Sequence, residues 1–276
     1  MKINVLDLNG KEISKIDLPE QFNEEYHPDL IKRAVVTIQA NKRQPYGTKP
    51  TAGKRYSAKL SRRRRDYKGS YGHGMSRVPR KVSWRRGMQF GYVGAFAPGT
   101  VGGRKAHPPK AEKIWDKKIN IKERRKAIRS ALSASLNLEI IKQRNHIAPE
   151  KFPFLIISQF ESVSKTKDAV KVLSILGFKE ELERADDRTI RPGKGKHRNR
   201  PYKTKKSLLI VVSGKCRLIK SVSNIPGIDV VEIKNINSEL LAPGTLAGRL
   251  TLYTEKAIEL LNKEKLFMNR KWYRKK

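Results

Sequence analysis

Leu208-Leu209-Ile210-Val211-Val212 is an unbroken run of five aliphatic residues. A strand covered on both faces needs such a run, because neither side of it meets water. Phe154-Leu155-Ile156-Ile157 repeats the signature, and Ile228 to Ile233 supplies a third strand. Between the first two, Ala169, Val172, Leu173 and Leu176 recur at helical spacing, with Gly177 as the residue that ends the helix. Thr254 stands where it can cap a further helix through Ala257, Ile258 and Leu261. Strands alternating with helices specify an α/β fold. The expected form is a mostly parallel sheet flanked by helices, a Rossmann-like three-layer arrangement.

Working outward, Met1-Lys2-Ile3-Asn4-Val5-Leu6-Asp7-Leu8 reads as another strand. It lacks the basic start and long apolar stretch of a signal peptide. From Pro28, the residues Ile31, Ala34, Val35 and Ile38 fall on one helix face, and Pro28 suits its first turn. Asn120 and Glu123 resemble a capping box before Ile128, Ala131, Leu132 and Leu136. Lys122, Arg125, Lys126 and Arg129 occupy the opposite face of that helix. The residues between these two helices are therefore an insertion in one folded domain.

The insertion is chemically unlike its surroundings. The chain of 276 residues carries 62 Lys/Arg and 26 Asp/Glu, a net charge of +36. Residues 42–110 hold 19 Lys/Arg, 11 Gly and a single acid, Asp66. Half of the excess charge thus sits in a quarter of the length. Ordering one backbone residue costs roughly 1–2 kcal/mol. Few aliphatic groups are present to offset that, so this stretch is expected to have no stable shape until a polyanion supplies one. A second basic loop, residues 188–206, has nine Lys/Arg and no acid. The C-terminus, Asn269 to Lys276, is a third basic piece.

Several chemistries are excluded or disfavoured. One cysteine, Cys216, permits no internal disulfide or Cys-rich zinc site and reads as a small buried apolar residue. No apolar run approaches the ~18 residues of a membrane span. Gly193-Lys194-Gly195-Lys196 lacks the P-loop spacing and precedes a strand, whereas a P-loop follows one. His27, His73, His107, His146 and His197 show no metal-ligand spacing. The pairs Glu180-Glu181 and Asp186-Asp187 read as a solvated helix face. A nucleotide-dependent enzyme on the sheet is thus the weakest reading.

Binding fares better. Tyr46, Tyr56, Tyr67, Tyr71, Trp84, Phe90, Tyr92 and Phe96 interleave with the cations of the insertion. Cations neutralise phosphates, and aromatic rings and Arg planes stack on unpaired bases. No helix-turn-helix, zinc finger or basic zipper is legible, so folded RNA is favoured over duplex DNA. A free-standing nucleic-acid chaperone is the alternative within this class. The insertion has no amphipathic apolar face for a membrane surface.

Gly99-Thr100-Val101-Gly102-Gly103-Arg104-Lys105-Ala106-His107-Pro108-Pro109, then Trp115, then Asn120 to Ala131, resembles the ribosomal protein L-four family of the large subunit. Arg77-Val78-Pro79-Arg80, the run Gly193 to Arg200, and Leu246-Ala247-Gly248-Arg249-Leu250 resemble it as well. The short basic tail looks archaeal. The resemblance implies a globular α/β domain over 1–43 and 113–265. It implies an extended RNA-penetrating loop over 44–112, a second RNA-binding loop over 188–206 and a basic tail over 266–276. It implies a non-enzymatic, cytoplasmic constituent of the large ribosomal subunit that scaffolds 23S-type rRNA. No cofactor is implied beyond Mg2+ or K+ accompanying the RNA.

The candidate RNA contacts in the insertion are Lys49, Lys54, Arg55, Arg62, Arg63, Arg64, Arg65, Arg77, Arg80, Lys81, Trp84, Arg85, Arg86, Arg104, Lys105 and His107. Arg125 and Arg129 on the following helix, and Arg191, Lys194, Lys196, Arg198 and Arg200 in the second loop, complete the set. The family's loop tip helps line the nascent-peptide exit tunnel and forms a constriction with a neighbouring ribosomal protein. By position the tip candidates are Arg63, Tyr67, Lys68, Tyr71, His73 and Met75. The implied partners are thus the rRNA, ribosomal proteins at the tunnel and the passing nascent peptide, with no membrane.

Overall fold

A computed structural model describes residues 2–55, 58, 60–65, 69–87 and 89–269. Its strands are β1 (Lys2–Leu6), β2 (Glu12–Asp17), β3 (Arg80–Arg86), β4 (Gln89–Gly94), β5 (Phe154–Ile156), β6 (Thr189–Ile190), β7 (Tyr202–Lys203), β8 (Leu209–Val212), β9 (Asp229–Glu232) and β10 (Thr251–Thr254). Its helices are α1 (Pro28–Asn41), α2 (Ile121–Ala134), α3 (Leu138–Gln143), α4 (Thr166–Ile175), α5 (Lys179–Asp186), α6 (Leu218–Val222), α7 (Ser238–Leu241) and α8 (Glu255–Lys263). The chain divides into two units. Residues 1–41 with 116–276 form the first, and residues 42–115 the second.

The first unit is built on a six-stranded sheet in the order β2-β1-β5-β10-β8-β9. All neighbours are parallel except the edge pair β1–β2. Alternate residues of the central strands face opposite layers. Leu209, Val211, Leu155 and Tyr253 join Ile31, Val35, Leu132 and Ile258 on one side. Ile210, Val212, Ile156 and Leu252 join Leu173, Phe178, Leu218 and Val222 on the other. This is the three-layer α/β arrangement expected, a mostly parallel sheet flanked by helices, with one antiparallel strand at its edge. Gly177 closes α4 at φ +89°, a conformation that costs glycine nothing but strains a residue with a Cβ.

Three local expectations fail, each because a partner from elsewhere in the chain takes the group, and a fourth, for Cys216, holds in part. Asn120 stands at the N-cap of α2 but its side chain accepts no cap hydrogen bond, and Glu123 instead pairs with Arg33 at 2.9 Å. Thr254 does not cap α8 with its side chain, because its Oγ1 donates to Glu161 Oε1 at 2.7 Å. Glu181 is fully buried rather than solvated. Cys216 is half-buried, and burial pushes its thiol pKa up.

Glu181 anchors the junction of α3 and α5. Its Oε1 accepts from His146 Nδ1 and from Arg184 Nη2, both at 2.7 Å, and its Oε2 from the Ile147 N–H at 3.0 Å. Burial alone would raise the carboxyl, but these donors prevail and bring its pKa down to about 2 from 4.5. Burial lowers His146 below 6.5 despite the opposing pull of Glu181, so the imidazole is neutral with its proton on Nδ1. Both groups bind protons more readily in the unfolded chain. Their stabilisation is complete above about pH 6.5 and is lost as the pH falls, first through His146 and then between 4.5 and about 2 through Glu181. Thermal melts of the full chain should therefore fall progressively from pH 7 to pH 3, and less steeply in His146→Gln below pH 6.5. A melting temperature flat across that range would contradict the assignment.

Candidate nucleic-acid interface

Residues 42–115 contain 20 Lys/Arg, and Glu112 is the one carboxylate among their described residues. Regular structure enters where side chains alternate. Val82 and Trp84 on β3, and Phe90 and Tyr92 on β4, recur at period two between cations and glycines. The strands pair antiparallel from Arg80–Gly94 to Arg86–Gln89, with a register shift between Val82 and Trp84. Gly87, at φ +55°, begins the connection, as a two-residue hairpin turn requires. No hairpin is legible here in the sequence, because aromatics alternating with cations suit free stacking groups equally well.

Trp84 lies across the hairpin on Gly91, where an added Cβ would meet its indole ring. Trp84 nonetheless remains 54% exposed. Gly91→Ala should displace the indole and shift the emission or quenching of Trp84 while leaving the melting of the first unit unchanged. The test is tryptophan fluorescence of a variant retaining Trp84 alone, with Trp115 and Trp272 replaced by Phe. An unaltered spectrum would show that the ring does not rest on Gly91.

The remaining candidates of this unit divide by what they touch. Lys49, Lys54, Lys105 and His107 are exposed. Arg62, Arg63, Arg64 and Arg65 are exposed in a loop that starts from the parallel bridge between Ser61 and Gly69. Lys81, Arg85 and Arg86 are exposed along β3. Arg55 Nε donates to Thr51 Oγ1 at 3.3 Å. Arg77 lies 4.8 Å from the Tyr71 ring centroid. Arg80 is half-buried and donates to Val78 O and Ser76 Oγ, and half-buried Arg104 reaches Lys105 O at 3.4 Å. Of the tip candidates, Tyr71 and His73 are exposed in a turn. Half-buried Met75 lines a small cavity with Leu60, Ser70, Val78 and Tyr92. Tyr67 and Lys68 lie outside the described residues, as do Tyr56 and the basic end of the tail.

One cluster escaped the sequence reading as a unit. The rings of Tyr46 and Trp115 stack 6.0 Å apart at 17°. The Arg43 guanidinium lies 3.6 Å from the Trp115 centroid, and Lys113 Nζ lies at 4.3 Å. These residues approach from opposite ends of the unit, where Thr48 N–H also donates to Pro109 O at 3.1 Å. Interleaving of aromatics and cations flagged Tyr46, but only the fold brings the others to it.

On the first unit the second basic loop is a small antiparallel clasp, β6–β7, around a 3-10 turn from Gly193 to Arg198. Arg191 is spent holding it, with Nε on Arg200 O and Nη2 on Tyr202 O, both at 3.2 Å. Lys194, Lys196, Arg198 and Arg200 point outward without an acidic partner among the described residues. Arg129, expected as an RNA contact on the face opposite the apolar stripe, is 8% exposed and pairs with Glu24 at 2.7 Å while donating to Phe267 O. Arg125 donates to Met268 O at 3.1 Å. Helical spacing could not reveal that the segment around Glu24 packs over that face.

The ends of the parallel strands, where such sheets usually bind ligands, are occupied differently. The Glu161 carboxylate sits beyond β5, β8 and β10. It accepts from Ser213 N–H at 2.8 Å, Ser213 Oγ at 2.6 Å and Thr254 Oγ1 at 2.7 Å. An anion held there repels phosphate instead of cradling it.

Against known proteins, a model described as the ribosomal protein L4/L1 family matches residues 16–264. The chain is 47% identical over 268 residues to the large ribosomal subunit protein uL4 of Nanoarchaeum equitans, covering 97% of this chain and 100% of the relative. It is 44% identical to the protein of that name from Archaeoglobus fulgidus, over 95% of this chain and 98% of the relative. For the Methanocaldococcus jannaschii protein the identity is 45%, over the same shares.

Proposed function

The chain belongs to the ribosomal protein L4/L1 family, among its archaeal members, and from that premise we propose that its cationic surfaces scaffold 23S-type rRNA. The family places it as a structural, non-enzymatic constituent of the large ribosomal subunit in the cytoplasm. The observation that carries the RNA reading is residues 42–115, with 20 Lys/Arg and a single described carboxylate. Among the described residues, Glu112 alone opposes this field. Phosphates neutralise it with release of condensed counterions. The exposed cations from Lys49 to Lys105 contact backbone phosphates, and Trp84 stacks on unpaired bases. Lys194, Lys196, Arg198 and Arg200 form a second phosphate contact on the first unit. Arg80, Arg125, Arg129 and Arg191 serve mainly to hold the protein's own backbone, which the hydrogen bonds above support.

We further propose, from the resemblance, that residues 44–112 extend into the RNA and that the stretch Arg63 to Met75 reaches the nascent-peptide exit tunnel. There it forms a constriction with a neighbouring ribosomal protein, and exposed Tyr71 and His73 face the passing peptide. Mg2+ or K+ accompanies the phosphates these side chains do not reach.

Salt titration tests the RNA reading. Affinity of the full chain for 23S-type rRNA fragments should fall steeply with salt, with a log–log slope of about 0.7–0.9 per phosphate neutralised. An affinity that barely changes between 50 and 200 mM salt (a range over which ~6–10 contacts cost 10³–10⁵-fold) would overturn it.

A further inference from the structure

On the first unit, the turn between β1 and β2, the segment Ile147–Lys151 and the end of α4 enclose an open groove of about 400 Å³. That lies within the ~300–1,000 Å³ of clefts that hold a small ligand or several side chains. Buried Leu6, Phe154 and Leu176 form its floor. Its walls include Ile147 and Ile175, left 40% and 56% exposed. Ile175 ends the α4 stripe on the outer side, where burial within this chain does not reach it.

The charge at this groove is opposite to that of the molecule. Glu150 and Glu180 line it, against one cation, Lys151. Neither carboxylate has an ion-pair partner among the described residues. That is unusual company for two acids in a chain with a surplus of 36 positive charges. An RNA strand would meet apolar walls and two anions here, with no arginine to neutralise it. A cationic, partly aliphatic polypeptide would bury the isoleucines and neutralise the carboxylates together.

We propose that this groove seats a lysine- or arginine-bearing aliphatic segment of a neighbouring large-subunit protein. The proposal rests on the ribosomal reading above. It adds a protein-docking surface separate from the basic RNA-binding segments and from the tunnel contact.

The test uses the full chain carrying p-benzoylphenylalanine in place of Ile175, incorporated into large subunits and irradiated. The expected product is a cross-link to a segment of another ribosomal protein with aliphatic side chains flanked by Lys or Arg. In competition with wild type, Ile175→Glu should enter subunits or retain that neighbour roughly tenfold less well, the effect of losing about 1.4 kcal/mol at a buried anchor. Its melting temperature and affinity for rRNA fragments should match wild type. A cross-link to rRNA, to this chain itself or to a second copy would overturn the proposal, as would assembled subunits with no adduct at position 175. If the wild-type chain fails to enter large subunits at all, the ribosomal reading falls, and the groove proposal with it. Entry of wild type without the protein cross-link sinks the groove proposal alone.

Discussion

Arg249→Met is expected to lower the stability of the first unit by about 3–5 kcal/mol, the cost of removing the buried member of an ion pair and leaving its buried carbonyl acceptors unpaired. Arg249 is fully buried, and its Nη2 lies 2.6 Å from Asp229 Oδ2. Its guanidinium also donates to Ser207 O at 2.7 Å, Leu240 O at 3.1 Å, Gly227 O at 3.1 Å and Leu208 O at 3.4 Å. One planar fork thus ties β8, β9, α7 and the entry to β10 together. Methionine fills the volume but leaves four carbonyls and a carboxylate facing it. Lysine fares little better, because a single ammonium cannot span that fan of acceptors. At about 2–4 °C per kcal/mol for a domain of 150–250 residues, the melting temperature should fall by roughly 6–20 °C. Burial alone would raise the Asp229 carboxyl, but Arg249 and Lys206 draw it below its ordinary value. In Arg249→Met that depression should shrink, so the variant should lose less of its remaining stability on acidification. A melting temperature within 2 °C of wild type would show that the arginine is not a structural tie.

The largest expected effect on binding comes from Arg62, Arg63, Arg64 and Arg65 changed together to glutamine. All four are exposed, and none has an acidic partner among the described residues. Their loss should leave folding intact, because exposed substitutions away from packed features usually stay within about 0.5 kcal/mol. Four lost phosphate contacts reduce the salt slope by about 3 and the affinity by roughly a thousand-fold at 0.1 M salt. Replacement by lysine should restore most of the slope, since the slope counts charges and not guanidinium geometry. An unchanged slope in the glutamine variant would mean that this run faces solvent in the complex.

The parts of the fold that were legible were those fixed by local pattern. Two unbroken aliphatic runs became β5 and β8, and helical stripes became α1, α2 and α4. β10 escaped because Thr251 and Thr254 flank only two large apolar residues, although Tyr253 between them is fully buried with its hydroxyl 2.8 Å from Ser135 Oγ. The hairpin β3–β4 escaped because its alternation is written in tryptophan, tyrosine and arginine, which also suit RNA contact. The residues misjudged most were charged ones with distant partners. Glu181, Arg129 and Arg249 are held by contacts that span up to 35, 138 and 42 positions respectively, and no local window reports such distances. Composition, by contrast, located the cationic segment well, because net charge is a sum and does not depend on how the chain folds.

A structure of the large subunit containing this chain measures the central claim most directly. Phosphate oxygens of rRNA should lie within hydrogen-bonding distance of Arg62–Arg65 and of Lys194, Lys196 and Arg198, with residues 44–112 surrounded by RNA. Finding that segment folded back in solvent, with no nucleotide in contact, would contradict the account.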